Sequence, residues 1–189
     1  NSDVLNIKPT MGKNYYFLGY ANYRLGLITE AIACLKNTIQ YNSPWVYSAF
    51  LLLANLDAEN ILLYIQQATD HYNQDKSHDL SANYNLYLLN KSVNRNETAV
   101  MYLERAIEQA NSVQANATLL AEMASVTNEH KDYEKAISAY LLCIDSNTSS
   151  KRCIEVYDNI ASLYADIGQF ESAISYMQKA VELVSTNGP

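Results

Sequence analysis

The chain has 189 residues, 49% of them hydrophobic, with 5 glycines and 3 prolines: enough apolar content for a core, too little Gly and Pro for a low-complexity segment. Thirteen Lys and Arg against 20 Asp and Glu leave a net charge of −7, which argues against binding nucleic-acid phosphates through Lys and Arg. The longest apolar run, Ala49–Ala54, has six residues, far short of the roughly 20 that a membrane helix needs, so no membrane insertion is expected.

Residues 1–11 read as an N-terminal extension. From 12 to 43, Leu18-Gly19 is followed by Leu25-Gly26-Leu-Ile28-Thr-Glu-Ala31-Ile32, the pattern of a helix, a glycine turn and a second helix. Pro44 opens the next unit, 44–79, which is the most degenerate. Residues 80–116 carry Leu86-Tyr87 and then Glu97-Thr-Ala99-Val100. In 117–153, Leu120-Ala-Glu-Met123-Ala124 and Lys131-Asp-Tyr133-Glu-Lys-Ala136-Ile137 align without a gap on 154–187. Their counterparts there are Tyr157-Asp-Asn-Ile160-Ala161 and Gly168-Gln-Phe170-Glu-Ser-Ala173-Ile174. Ala31, Ala99, Ala136 and Ala173 are 68, 37 and 37 residues apart, and 68 is twice 34, so five units are implied. The polar linkers Asn111–Asn116 and Asp145–Lys151 are expected to bulge as loops.

A helix–turn–helix period near 34 resembles the tetratricopeptide repeat (TPR). In 154–187, Tyr157, Ile160, Ala161 and Tyr164 match the first-helix positions, and Gly168, Phe170, Ala173 and Ala180 match the turn and second helix. The resemblance implies an all-α fold, an α-solenoid or right-handed superhelix of about five units, with the first helix of each pair lining a concave groove. It also implies a function: a scaffold that binds a peptide or helical segment of another protein.

The expected groove lining in the first unit is Lys13, Tyr16, Phe17, Tyr20, Tyr23 and Arg24. Tyr84 and Asn85 follow in the third. The fourth and fifth offer Glu122, Asn128, Glu129, Glu155, Asp158, Asn159 and Asp166. Residues 1–95 are net neutral and 96–189 carry the whole −7, so the acidic end is expected to favour basic or amide-bearing segments. The lysine/asparagine/arginine clamp by which many TPR domains hold acidic tails is absent: the matching positions carry Tyr16, Tyr20, Ser81 and Asn85. The alternatives are a peptide-sensing regulatory domain of a larger receptor, as in bacterial quorum-sensing receptors built on similar repeats, and a self-association module. For the latter, Ile174, Met177, Val181 and Val184 form an apolar stripe on the last helix, open to a homodimer or to further chain.

No nucleophile triad, P-loop or GxGxxG occurs, so no enzyme activity and no cofactor are expected. Asp70, His71, Asp75, His78 and Asp79 are the one cluster of metal-ligand types. Their spacing matches no metal motif, and the stretch reads as a solvated linker. His130 reads as a surface residue in a turn. Cys34, Cys143 and Cys153 are odd in number without a CxxC pair, which suggests free thiols in the cytoplasm or another reducing compartment. Four N-x-S/T sequons, at Asn90, Asn96, Asn116 and Asn147, are close to what chance gives and carry no sign of secretion. A start at Asn1 suggests a piece of a longer natural chain.

Overall fold

The structure, a computed structural model, describes residues 2–75, 78–145 and 150–186. Among them are ten α-helices and no strand: α1 (Ser2–Arg24), α2 (Ile28–Gln40), α3 (Val46–Leu56), α4 (Ile61–Gln74), α5 (Leu80–Lys91), α6 (Asn96–Glu108), α7 (Val113–Thr127), α8 (His130–Asp145), α9 (Ser150–Asp166) and α10 (Phe170–Thr186). No single described helix is long and apolar enough to cross a membrane. The contacts divide the chain into two compact units, 1–102 and 103–189.

In the first unit α1 and α2 form a hairpin whose turn is made by Gly26, at φ 78°. That left-handed geometry strains any residue with a Cβ, so the glycine is there for the turn. A Cβ on Gly12 would stand 2.5 Å from the Cβ of Ser43, so α1 can approach the α2–α3 connection only with glycine at this position. The hub of the unit is α3, which packs on α2, α4 and α5. Six of its 11 residues are buried: Val46, Tyr47, Ala49, Phe50, Leu53 and Ala54. Leu35, Ile65, Leu86 and Tyr87 complete this core. Helix α5 is capped by Asp79, whose side chain accepts from the Ala82 amide at 2.8 Å.

The second unit is built on two hairpins, α7–α8 and α9–α10, joined through α8 and α9. Gly168 turns the second hairpin at φ 76°, while Asn128, at φ 53°, does the same for the first. Val156, Ile160 and Leu163 of α9 share one buried cluster with Ala124, Ala136, Ile137 and Tyr140 of α7 and α8. The expected small positions Ala31, Ala99, Ala136 and Ala173 are all buried.

Two expected loops are corrected. Within Asn111–Asn116, Ser112 caps α7 by accepting from the Ala115 amide at 3.1 Å, so helix begins at Val113. In the stretch Asp145–Lys151, α8 runs to Asp145 and α9 starts at Ser150, with 146–149 outside the described residues. His130 is the first residue of α8 rather than part of a turn, and its exposed ring lies 3.5 Å from Glu134.

Candidate protein-binding site

The first-unit set divides into wall and surface. Tyr16 stacks on Trp45, with centroids 4.9 Å apart, and Phe17 meets the same indole edge-on at 5.0 Å. Burial pushes the Tyr16 phenol up, a neighbouring Tyr20 adds to this, and a hydrogen bond with Ser48 opposes both. Phe17, Tyr20, Tyr23, Lys13 and Arg24 are exposed. The Arg24 guanidinium donates to the Tyr20 hydroxyl at 3.1 Å and lies 5.9 Å from its ring centroid, and Tyr20 and Tyr23 are 6.2 Å apart. These five side chains present a cationic, aromatic surface along the last turns of α1, of the composition that protein interfaces favour. Trp45, which anchors two of the aromatics, was not among the expected residues; its signal was its place beside the Pro44 turn.

Tyr84 is half-buried and tilts against Tyr87 at 5.6 Å. Asn85 is buried, and its amide donates to the Ser81 carbonyl at 2.8 Å, so it is a core residue rather than a groove contact.

In the second unit the structure brings Glu122, Asn159 and Asp166 together. With Thr118, Ser125, Ser162 and Tyr140 they line a cleft of about 280 Å³ between α7 and α9. Two carboxylates, an amide and four hydroxyls give this cleft an acidic, hydrogen-bonding lining. Tyr140 enters from α8, and a one-face reading of α7 and α9 could not have found it. Glu155 is exposed on α9. Asn128 is spent as the α7 cap, and Glu129 pairs with Lys131 at 2.6 Å; neither lines the cleft.

Asp158 belongs to a second, larger concavity of about 880 Å³. It is walled by Ala161, Ser162 and Ala165 of α9 and by Phe170, Ile174, Met177 and Val181 of α10. Ile174, Met177, Val181 and Val184 are all exposed, so the apolar stripe expected on the last helix is present.

The Asp70–Asp79 stretch is not a solvated linker throughout, because α4 runs to Gln74. His71 is half-buried: Nε2 lies 2.7 Å from Asn42 Oδ1 and Nδ1 3.2 Å from the Tyr47 hydroxyl. A neutral ring protonated at Nε2 satisfies both bonds. Burial pushes the His71 pKa down, against the opposing pull of Asp75, whereas the unfolded chain titrates near the ordinary value of 6.5. A depressed histidine pKa means that the unfolded state takes up the proton first, so stability falls as pH drops below about 6.5 until the folded pKa is passed. His71→Gln should flatten that slope in denaturant melts at about pH 7.5 and about pH 5; an unchanged slope would discount the ring's role. Among the described residues no three His, Cys, Asp or Glu side chains gather as a metal site.

Two segments, 12–43 and 154–185, match the family model of the tetratricopeptide repeat. No curated protein sequence matches at a significant level. Among solved structures, the nearly identical TPR-like repeats of a Podosopora anserina chain assigned as a kinesin light chain superpose with a TM-score of 0.71 at 14% identity, over 96% of this chain and 99% of that one. BtubC from P. vanneervenii gives 0.66 at 16% identity, over 96% and 83%. MamA residues 41-end from Desulfovibrio magneticus RS-1 give 0.62 at 19% identity, over 95% and 98%. These similarities show the fold, an all-α array of TPR-type helix pairs.

Proposed function

We propose that this tetratricopeptide-repeat chain is a protein-binding scaffold, a binding module rather than a catalyst, whose second unit captures a basic or amide-bearing peptide segment. The observation that carries the reading is the α7–α9 cleft, where Glu122, Asn159 and Asp166 converge with hydroxyl groups. Its lining of two carboxylates, an amide and hydroxyls is complementary in charge and hydrogen bonding to a cationic side chain. The exposed Arg24, Tyr20 and Phe17 of the first unit offer a separate patch for aromatic or acidic groups. Three cysteines, an odd number with no CxxC pair, fit the cytoplasm or another reducing compartment.

Fluorescence anisotropy with labelled Lys/Arg-rich and Asp/Glu-rich peptides tests this. The basic peptide should bind, and binding should weaken with salt as exposed charges are screened. Glu122→Gln combined with Asp166→Asn should weaken it roughly tenfold, equal to about 1.4 kcal/mol. Equal affinity for both peptides, or indifference to salt and to the double change, would overturn the reading.

A further inference from the structure

We propose that the chain assembles head to tail, with α1 of one copy seated in the apolar trough between α9 and α10 of another. The inference does not rest on the peptide-binding reading, because it concerns the exposed side of α1 and the α9–α10 trough and needs no peptide.

The repeat supplies its own template. Ala136 and Ala173 hold the same place in successive hairpins, 37 positions apart, so α9–α10 corresponds to α7–α8. Within the second unit α9 covers α8, leaving Ile137 only 6% and Tyr140 only 3% exposed. The residues at those positions on α10 are Ile174 and Met177, and they are 58% and 50% exposed. Among the described residues no helix covers this trough as α9 covers α8.

The helix that would fill it is found on the same chain. Residues 12–43 and 154–185 match one repeat model over equal lengths, so residue 12 corresponds to 154, an offset of 142 positions. Ile160 of α9 and Ile167 just beyond it, which pack in the cluster shared with the preceding hairpin, then correspond to Leu18 and Leu25. Ile160 is fully buried, whereas Leu18 is 50% and Leu25 74% exposed. Helix α1 and the turn after it present the knobs, and the α9–α10 hairpin presents the trough.

Charge supports the same pairing. Asn159 and Asp166 of α9 line the cleft with Thr118, Glu122 and Ser125 of α7. Moved by one repeat, that contact sets Phe17 and Arg24 of the incoming copy along Glu155, Asn159 and Ser162. Arg24 stands where α9 has Asp166, so the incoming helix brings a cation, in place of a carboxylate, to a face that carries Glu155. A tail-to-tail pair would instead bring together Asp158 and Glu182 of both copies, which rim the trough. Asn14 and Ala21 stand on α1 where α9 has Val156 and Leu163, so this contact buries less apolar area than the internal one and should be reversible. A heterologous contact either closes into a ring or continues as an open chain.

Sedimentation velocity of the 189-residue chain over a concentration series, without added peptide, is the test. The unaltered chain should form reversible species, dimeric or larger, that grow with concentration. A tail variant, Ile174→Glu with Val181→Glu, should be monomeric, and so should a head variant, Leu18→Glu with Leu25→Glu. Circular dichroism should find both still helical. If Leu18→Glu disturbs α1, Leu25→Glu alone serves, because Leu25 lies just beyond that helix. Mixed in equal amounts, the two variants should form a one-to-one dimer and stop, since each keeps one working face. An unaltered chain that stays monomeric, a head variant that still self-associates, or a mixture that fails to pair would each overturn the proposal.

Discussion

Truncating Phe50 to alanine is expected to destabilise the first unit by about 3–5 kcal/mol, the usual cost of emptying a fully buried aromatic site. Phe50 is among the largest fully buried side chains, and it sits on α3, the helix that touches α2, α4 and α5 together. The cavity would open at the junction of several helices, where no single neighbour can shift to fill it. A loss of that size is a large share of the about 5–15 kcal/mol that holds a typical domain together. Leu62→Ala on α4 removes an exposed side chain of similar chemistry, and its cost should stay within about 0.5 kcal/mol. Denaturant melts of the two variants give the comparison. Equal losses would show that α3 is not the centre of the unit.

That helix also marks the limit of what the sequence makes legible. Residues 44–79 are the segment least like a repeat, yet they supply α3 and α4 and much of the first core. The reason is physical. A hub helix contacts several partners and is apolar around much of its circumference, so it loses the one-sided periodicity by which repeats are recognised. The end hairpins face fewer neighbours and keep the pattern: Gly26 and Gly168 turn them, and Ala31 and Ala173 are buried where the small positions were expected. Polar residues misled in the other direction. Asn111 to Asn116 resembles a loop in composition, but Ser112 is a cap and the asparagine that follows lies in a helix. Asn128 makes the left-handed turn that glycine makes in the next unit, so a search for glycine alone misses it. In the candidate site, Glu122, Asn159 and Asp166 were legible because they share the first-helix stripe of adjacent units. The burial of Asn85 was not, because side-chain bonds to the preceding turn leave no mark on periodicity.

Asn83 carries that last point to a second large effect. It is fully buried on α5, in a position that hydrophobic patterning would assign to an apolar residue. Its amide nitrogen donates to the carbonyls of His78 and Asp79, each at 3.1 Å, and its oxygen accepts from the Tyr72 hydroxyl at 2.8 Å. Tyr72 in turn stacks on His78 at 4.1 Å and meets Tyr102 edge-on at 5.4 Å, so the asparagine ties the end of α4 to the start of α5. Asn83→Leu keeps most of the volume but removes the acceptor offered to Tyr72 and the donor offered to His78 and Asp79. The Asp79 carbonyl keeps the Asn83 backbone amide at 3.1 Å. Depriving a buried polar group of its partner costs about 1–3 kcal/mol, and with two groups affected a loss of about 3 kcal/mol is expected. Tyr72→Phe removes the hydroxyl whose bond Asn83→Leu breaks. The double variant should therefore be more stable than the sum of the single losses implies, by about 1 kcal/mol or more. Denaturant melts of all four proteins measure that coupling. Single losses that simply add, to within about 0.5 kcal/mol, would show that the Tyr72–Asn83 bond does not hold the two helices together.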